Sequence, residues 1–183
     1  MDRRKHITLG FERIEALLEA MGHPEHDIPH IVQVVGTNGK GTTAVALTAA
    51  LGEMGHPSGV YLSPHVLSYT ERVVLRGRQA SEEEFASAMG KTIELADKHG
   101  IPVSQFEILT AGALRMFAEA DLSWAILEAG LGARYDAVAT VATFSTRLRD
   151  EIDLDSLQME LVAVVGSTMQ PRTTTLWLRE GDG

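Results

Sequence analysis

The chain has 183 residues, of which 44% are hydrophobic and 22% charged, and these ordinary globular values exclude a mainly disordered or fibrous protein. Its 25 acidic residues outnumber 16 basic ones, and the resulting formal charge of −9 disfavours a nucleic-acid-binding surface. The absence of cysteine excludes disulfides, thiol catalysis and cysteine-ligated zinc. Because the chain shows neither a signal-peptide pattern nor a run of about 18 apolar residues, we expect a cytoplasmic protein that does not bind membranes.

Helices and strands alternate along the first 130 residues. Apolar residues at helical spacing predict a helix over residues 10–22, and Ser81 is expected to cap a later helix that carries acids in its first turn. The predicted strands are residues 30–36, 58–63 and 123–130, with an edge strand at 71–77. Residues 37–55 are predicted as a loop running into a helix, and further helices are predicted at 81–100 and 104–120. This order predicts an α/β fold in which helices flank a parallel sheet of the P-loop type.

The most informative motif joins a buried strand to a helix through a glycine-rich turn, Val34-Val35-Gly36-Thr37-Asn38-Gly39-Lys40-Gly41-Thr42-Thr43. Glycines let backbone N–H groups converge on a phosphate, and the start of the helix adds partial positive charge. Lys40 would supply a full positive charge for the β- and γ-phosphates. The strict P-loop pattern is not met, because position 34 is valine and Gly41 stands where a Ser or Thr normally binds Mg²⁺. A plain glycine turn capped by asparagine is the alternative, but it leaves Lys40 unexplained at a helix start.

The missing hydroxyl at position 41 means that the magnesium ion of Mg-ATP needs oxygen ligands from elsewhere in the chain. Ser63 directly follows the second predicted strand, and Glu128 ends the strand SWAILE. Both side chains are expected at the end of the sheet where α/β folds bind their ligands. An acid at the end of an apolar strand is costly unless it is paired or metal-bound, although a capping or ion-pair role for Glu128 remains an alternative.

At these residues the sequence resembles the folylpolyglutamate synthase and dihydrofolate synthase family of the Mur-ligase superfamily. GTNGKGT is similar to the family's phosphate loop, and YLSPHVLSYTERVVLRGRQASEEEF to its serine-proline-histidine loop and the helix after it. FEILTAGALRMFAEA and LEAGLGARYDA resemble the next helix and the metal-binding strand, in the correct order. The resemblance covers about residues 7–137 and implies a truncated Mur-ligase central domain.

The resemblance implies an ATP-dependent carboxylate–amine ligase that adds glutamate to dihydropteroate or folate through an acyl phosphate. It implies Ser63 and Glu128 as magnesium ligands and Lys40 as the catalytic cation. The ATP-binding residues it implies are Gly36, Thr37, Asn38, Gly39, Lys40, Gly41 and Thr42. The substrate-binding residues it implies are Ser104, Gln105, Phe106, Glu107, Tyr135, Asp136 and Ala137. The implied cofactors are ATP and Mg²⁺, and the implied partners are pteroate or folate, glutamate and ATP.

The match stops after Ala137, so we expect an ATP-binding domain at 1–137 and a divergent tail at 138–183 with helices and a terminal strand. The tail resembles a linker of bacterial sensor histidine-kinase-like proteins. The family's later histidine and lysine have no counterpart, since no histidine follows His99 and no lysine follows Lys98. Ligase activity is therefore expected to be incomplete, and a vestigial Mg-ATP-binding module from a fused or truncated reading frame is the alternative function. An exposed sheet edge would allow self-association.

Several residues also have plainer interpretations. His23 and His26 have HxxH spacing in a turn, but without a third ligand in view they are interpreted as solvated loop histidines. His65 is expected either to line the ATP pocket or to cap a helix. Glu71 and Arg72 are expected either to order the substrate loop or to form an exposed ion pair.

Overall fold

A computed structural model describes residues 11–130 of the chain. Its helices are α1 (Glu12–Ala20), α2 (Lys40–Glu53), α3 (Glu82–Lys98) and α4 (Gln105–Glu119). Its strands are β1 (His30–Val34), β2 (Ser58–Tyr61), β3 (Val73–Leu75), β4 (Arg78–Gln79) and β5 (Trp124–Glu128), and short 3-10 helices occupy Pro24–Asp27 and Tyr69–Arg72. The helices and strands predicted within this range are present with slightly shorter bounds. The predictions for Tyr135, Asp136, Ala137 and the tail 138–183 lie outside the described residues.

The three strands that carry the candidate site, β1, β5 and β2, are neighbours in the sheet and run parallel. The strand order is β1-β5-β2-β3-β4. β5 pairs with β1 and β2, and the register places Val34 beside Glu128 and Leu127 beside Tyr61. The carboxyl ends of β1, β5 and β2 therefore lie together, at the end of the sheet where α/β folds bind ligands.

The sheet is mixed, which corrects the expectation that all its strands are parallel. β3 pairs antiparallel with β2, and β4 pairs antiparallel with β3. Arg76 and Gly77 connect β3 to β4 with φ angles of +50° and +77°, and positive φ at both positions is typical of tight two-residue hairpin turns. β4, rather than β3, is the outer strand on this side of the described sheet. The α/β class with flanking helices is confirmed.

Side-chain alternation along β5 determines which face of the sheet each of its residues occupies. Trp124 and Ile126 pack with α2 in one apolar core, whereas Ala125 and Leu127 pack with α4 in the other. Because successive side chains of a strand point to opposite faces, Glu128 lies on the same face as Trp124 and Ile126. The strand pattern therefore directs the Glu128 carboxylate towards the start of α2.

Helices α1, α3 and α4 cover the opposite face, and the last two begin with the same local motif. Ser81 caps α3 and Ser104 caps α4, each in a reciprocal capping box with the glutamate three residues later. The expected Ser81 cap is thus confirmed. Among the described residues, no helix is long and apolar enough to cross a membrane.

Candidate nucleotide and metal site

The loop between β1 and α2 is open to solvent and leads directly into the helix. Residues 35–39 are all exposed, and Lys40 is the first residue of α2. Gly39 has φ +77°, a left-handed conformation that glycine adopts without steric cost. Within the described part of the chain, no side chain caps α2, in contrast to α3 and α4, so the first N–H groups of α2 have no side-chain acceptor there. This is the local geometry that binds phosphate in other proteins.

Glu128 and Ser63, the two predicted magnesium ligands, are adjacent in the structure. The backbone N–H of Ser63 donates a 2.9 Å hydrogen bond to Glu128 Oε2. Glu128 is buried, whereas Ser63 is half-buried. The carboxylate thus anchors the chain where it leaves β2, which agrees with the capping alternative, and it lies next to Ser63. Serine and carboxylate oxygens are ligands that suit Mg²⁺, so the residues present fit the ion.

Gly41 makes room for this carboxylate at the start of α2. A Cβ atom at position 41 would lie 3.3 Å from Glu128 Oε2, which is tighter than side chains normally pack, and 3.5 Å from Oε1. Sequence reasoning interpreted Gly41 as a missing hydroxyl and, by resemblance, as part of the ATP-binding loop. The structure gives the reason for the glycine, because the carboxylate occupies the space beside its Cα atom. In the sequence, the indication of this contact was the glycine at position 41, where the P-loop pattern has Ser or Thr.

A cavity of about 640 Å³ lies between the start of α2 and the segment after β2. Its wall combines residues of the phosphate loop motif with both predicted magnesium ligands: Gly41, Thr42, Val45, Ala46, Ala49, Leu62, Ser63, Pro64 and Glu128. Thr42 is exposed and contributes a hydroxyl on the same side. The cavity therefore brings together one end of the predicted ATP-binding set and the predicted metal ligands.

Glu71 organises the loop that follows Ser63. Its carboxylate accepts hydrogen bonds from the backbone N–H groups of Val66, Leu67 and Ser68 at 2.8 to 2.9 Å. These donors, with Val66 contributing most, lower the pKa of the Glu71 carboxyl from its usual range. The side chains of Val66 and Leu67 are left largely exposed. These contacts match the first of the two expectations for Glu71, namely that it orders the loop.

Arg72 contacts the same loop from the buried side. Its Nε donates a 2.9 Å hydrogen bond to His65 Nδ1, and His65 packs on the ring of Tyr69 with 4.1 Å between ring centroids. Arg72 is buried, so it is not part of an exposed ion pair. Tyr69 in turn accepts a 2.7 Å hydrogen bond from the Gln105 side chain. This chain of contacts joins the serine-proline-histidine loop to the start of α4.

The predicted substrate-binding segment 104–107 forms the start of α4, and two of its four residues cap the helix. Ser104 and Glu107 form the capping box, and Glu107 Oε1 also accepts a 3.1 Å hydrogen bond from Arg13 Nε. Gln105 and Phe106 are half-buried, and the Phe106 ring lies 6.3 Å from that of Tyr61. The S-x-x-E spacing of residues 104–107 is itself a signature of a helix start. A substrate role for this segment stays a prediction, as do those of Tyr135, Asp136 and Ala137.

The fold and the loop define the class of protein: an α/β protein whose glycine-rich strand–loop–helix unit lies at the carboxyl end of three parallel strands. No family model matches the sequence. The dihydrofolate synthase/folylpolyglutamate synthase of Escherichia coli K12 is 39% identical over 153 residues, covering 81% of this chain and 36% of the relative.

Solved structures of folylpolyglutamate synthase/dihydrofolate synthases are also similar to this chain. A bifunctional folylpolyglutamate synthase/dihydrofolate synthase with Mn, AMPPNP and L-glutamate bound matches with a TM-score of 0.69 and 40% identity, covering 74% of this chain and 32% of that one. An E. coli homologue in complex with DHPP and ADP matches with a TM-score of 0.68 and 38% identity, covering 73% and 32%. The chain is therefore homologous to the folylpolyglutamate synthase/dihydrofolate synthase family, and it spans about a third of the length of these relatives.

Proposed function

We propose that this chain binds Mg-ATP and provides the nucleotide-binding part of an ATP-dependent ligase that joins glutamate to dihydropteroate or a folate. The observation that carries the proposal is the convergence of Gly41, Ser63 and Glu128 beside the uncapped start of α2. It supplies N–H donors for phosphate and oxygen ligands for a divalent ion within one cavity. The homologue with Mn and AMPPNP bound supports the same ligand class.

The chemistry is a phosphoryl transfer followed by amide formation. A carboxylate oxygen of the pteroate or folate attacks the γ-phosphorus of ATP, which gives an acyl phosphate and ADP. The amine of glutamate then attacks the acyl carbon, inorganic phosphate leaves, and the amine loses a proton as the amide forms. Lys40 offsets the negative charge that the transferring phosphoryl group carries in the transition state. Ser63 and Glu128 would hold the magnesium ion, which neutralises phosphate charge when bound.

The acceptor is proposed to bind on the α4 side of the loop that Glu71 organises. Gln105 and the half-buried Phe106 lie there beside the exposed Tyr69, and together they offer aromatic surface and an amide hydrogen-bonding group. Such a surface suits a flat heterocycle. The homologue that binds DHPP supports this class of acceptor. Self-association through a sheet edge stays a prediction, and in the described part of the sheet β1 and β4 are the outer strands.

Titration of ATP with excess MgCl₂ into the wild type and a Lys40→Ala variant tests the nucleotide site. Loss of a hydrogen bond to a charged group predicts about a ten- to hundredfold weaker affinity for the variant. Lys98→Ala is the matched control, because Lys98 is an exposed lysine in the last turn of α3. Equal binding by wild type and Lys40→Ala would overturn the assigned loop.

A second assay separates nucleotide binding from ligation. Incubation with ATP, dihydropteroate and glutamate, followed by mass spectrometry of the products, measures amide formation directly. An amide product supports the ligase function of this chain. Tight Mg-ATP binding without amide formation would instead identify a nucleotide-binding module, which is the alternative function that the sequence left open.

A further inference from the structure

Two histidines and a glutamate converge in the turn between α1 and β1. Glu25 Oε1 lies 2.8 Å from His23 Nδ1 and 3.6 Å from His26 Nε2. One potential ligand atom from each of the three residues lies within 4.8 Å of the others. The two imidazole rings are stacked and nearly parallel, with 4.6 Å between centroids, so both present a nitrogen to the same carboxylate.

The Glu25 carboxylate is the unusual member of this cluster. Its side chain is only 2% exposed, and its buried Oε2 atom has no hydrogen-bond partner among residues 11–130. A buried carboxylate is costly unless its charge is compensated, and an orphaned oxygen adds to that cost. A cation at this position would compensate both. Sequence reasoning identified only the two histidines as a pair, and Glu25 joins them in the structure because the 3-10 helix at Pro24–Asp27 packs against α4.

The spacing of the three donors suits a tetrahedral metal ion. Zinc–nitrogen and zinc–oxygen bonds of about 2.0 to 2.2 Å place neighbouring tetrahedral ligands roughly 3.4 Å apart. The observed separations of 2.8 and 3.6 Å from Glu25 Oε1 lie on either side of that value, and the two nearly parallel rings would have to rotate for both nitrogens to face one ion. Two imidazoles and one carboxylate favour zinc and similar first-row divalent ions over magnesium. Both histidines are partly exposed, which leaves water access for a fourth ligand.

The turn is held in place by its own backbone. The N–H of His23 donates to Leu18 O at 2.8 Å, and the N–H of His26 donates to His23 O at 3.0 Å. The cluster precedes the amino end of β1, whereas the phosphate loop follows its carboxyl end, so a five-residue strand of roughly 17 Å separates the two. The cluster is therefore distinct from the candidate Ser63–Glu128 site.

We propose that His23, Glu25 and His26 form a zinc-binding site that holds the turn between α1 and β1. The metal bonds to His23 Nδ1, His26 Nε2 and Glu25, and water completes the coordination. A bound ion would fix the end of α1 to the start of β1, and it would stabilise the folded chain in proportion to its occupancy. The competing account is an ion pair between Glu25 and a protonated histidine, with no metal.

The test is calorimetric titration of ZnCl₂ into the metal-free full chain without nucleotide. We expect one zinc per chain at this cluster, and tetrahedral absorption bands when Co²⁺ is used instead. His26→Ala and Glu25→Gln are each expected to weaken zinc binding at least about tenfold, since even outer-sphere partners of metal ligands contribute that much. His23→Asn supplies a third variant, because asparagine tolerates the left-handed φ of +57° at this position.

Two control variants separate the cluster from other zinc ligands in the chain. His99→Ala removes an exposed histidine at the end of α3, and Glu128→Gln changes the candidate magnesium site; both should bind zinc as the wild type does. The proposal is overturned if the wild type binds no zinc, if His26→Ala and His23→Asn both bind it with unchanged affinity, or if Glu128→Gln abolishes the binding. The first of these outcomes would favour the metal-free ion pair.

Discussion

Replacement of Gly41 by alanine separates the stability of α2 from the affinity of the candidate site. In a helix, alanine is favoured over glycine by about 0.5 to 1 kcal/mol, so the substitution by itself would stabilise the fold. The new Cβ atom, however, would lie 3.3 Å from Glu128 Oε2. The carboxylate must move by a few tenths of an ångström to relieve that contact, and this offsets part of the helix gain.

The same movement is expected to weaken Mg-ATP binding. Mg²⁺ requires near-ideal geometry at about 2.0 to 2.1 Å from each oxygen. The ion therefore cannot move with one displaced ligand and keep its distances to the others. The hydrogen bond from Ser63 N–H to the carboxylate, 2.9 Å long, would also be strained. Partial loss of one charged hydrogen bond, about 1 to 2 kcal/mol, corresponds to roughly five- to thirtyfold weaker binding.

Gly52→Ala provides the matched control on the same helix. Gly52 lies in α2, and a Cβ atom there would meet nothing within 4 Å. Urea unfolding should show a gain of about 0.5 to 1 kcal/mol for Gly52→Ala and a smaller or no gain for Gly41→Ala. Titration of AMPPNP with Mg²⁺ should show weaker binding only for Gly41→Ala. Unchanged Mg²⁺-dependent affinity in that variant would refute the role of the Gly41–Glu128 contact.

Three further outcomes follow from the described contacts. Glu71→Gln should speed hydrogen exchange at the amides of residues 66–68. In the wild type these amides should be protected above the usual pKa of glutamate, and the protection should disappear as the pH falls through the lowered pKa of Glu71. Gly59→Ala should lower the free energy of unfolding by about 1 to 3 kcal/mol in urea, because its Cβ would lie 2.8 Å from the Phe117 ring. Hydrogen bonding to Arg78 lowers the Glu84 pKa from 4.5 to about 2, so the stability from this pair should be lost between those pH values, and Arg78→Ala should make acid unfolding begin at higher pH.

The sequence predicted the position of the site because the relevant signals are local. The apolar run before Glu128 predicts a buried strand, and the end of that run predicts that the carboxylate lies at the ligand-binding end of the sheet. The predicted meeting of Ser63 and Glu128 follows from the convergence of parallel strand ends, and the 2.9 Å contact agrees with it. Their role as metal ligands stays a prediction.

The features that sequence reasoning missed depend on contacts between distant segments. Nothing in the turn around His23 indicates that Glu25 is buried, because its burial comes from packing against α4. The antiparallel β3–β4 hairpin lacks the usual Asn-Gly turn signal, since Arg76 occupies the first left-handed position. The Ser104–Glu107 capping box had a clear S-x-x-E signal, which the family resemblance led us to interpret as part of a substrate pocket.

The Glu128 carboxylate faces two neighbours, the amide of Ser63 on one side and the cavity on the other. Because both neighbours share this one carboxylate, metal binding in the cavity and ordering of the chain after β2 are linked. A divalent ion that holds the carboxylate in the orientation that accepts the Ser63 hydrogen bond would also order the chain after β2. By reciprocity, a ligand that orders this chain would increase the affinity for the ion by the same factor. Under the proposed function, an acceptor that orders the chain after β2 would therefore bind cooperatively with the cation.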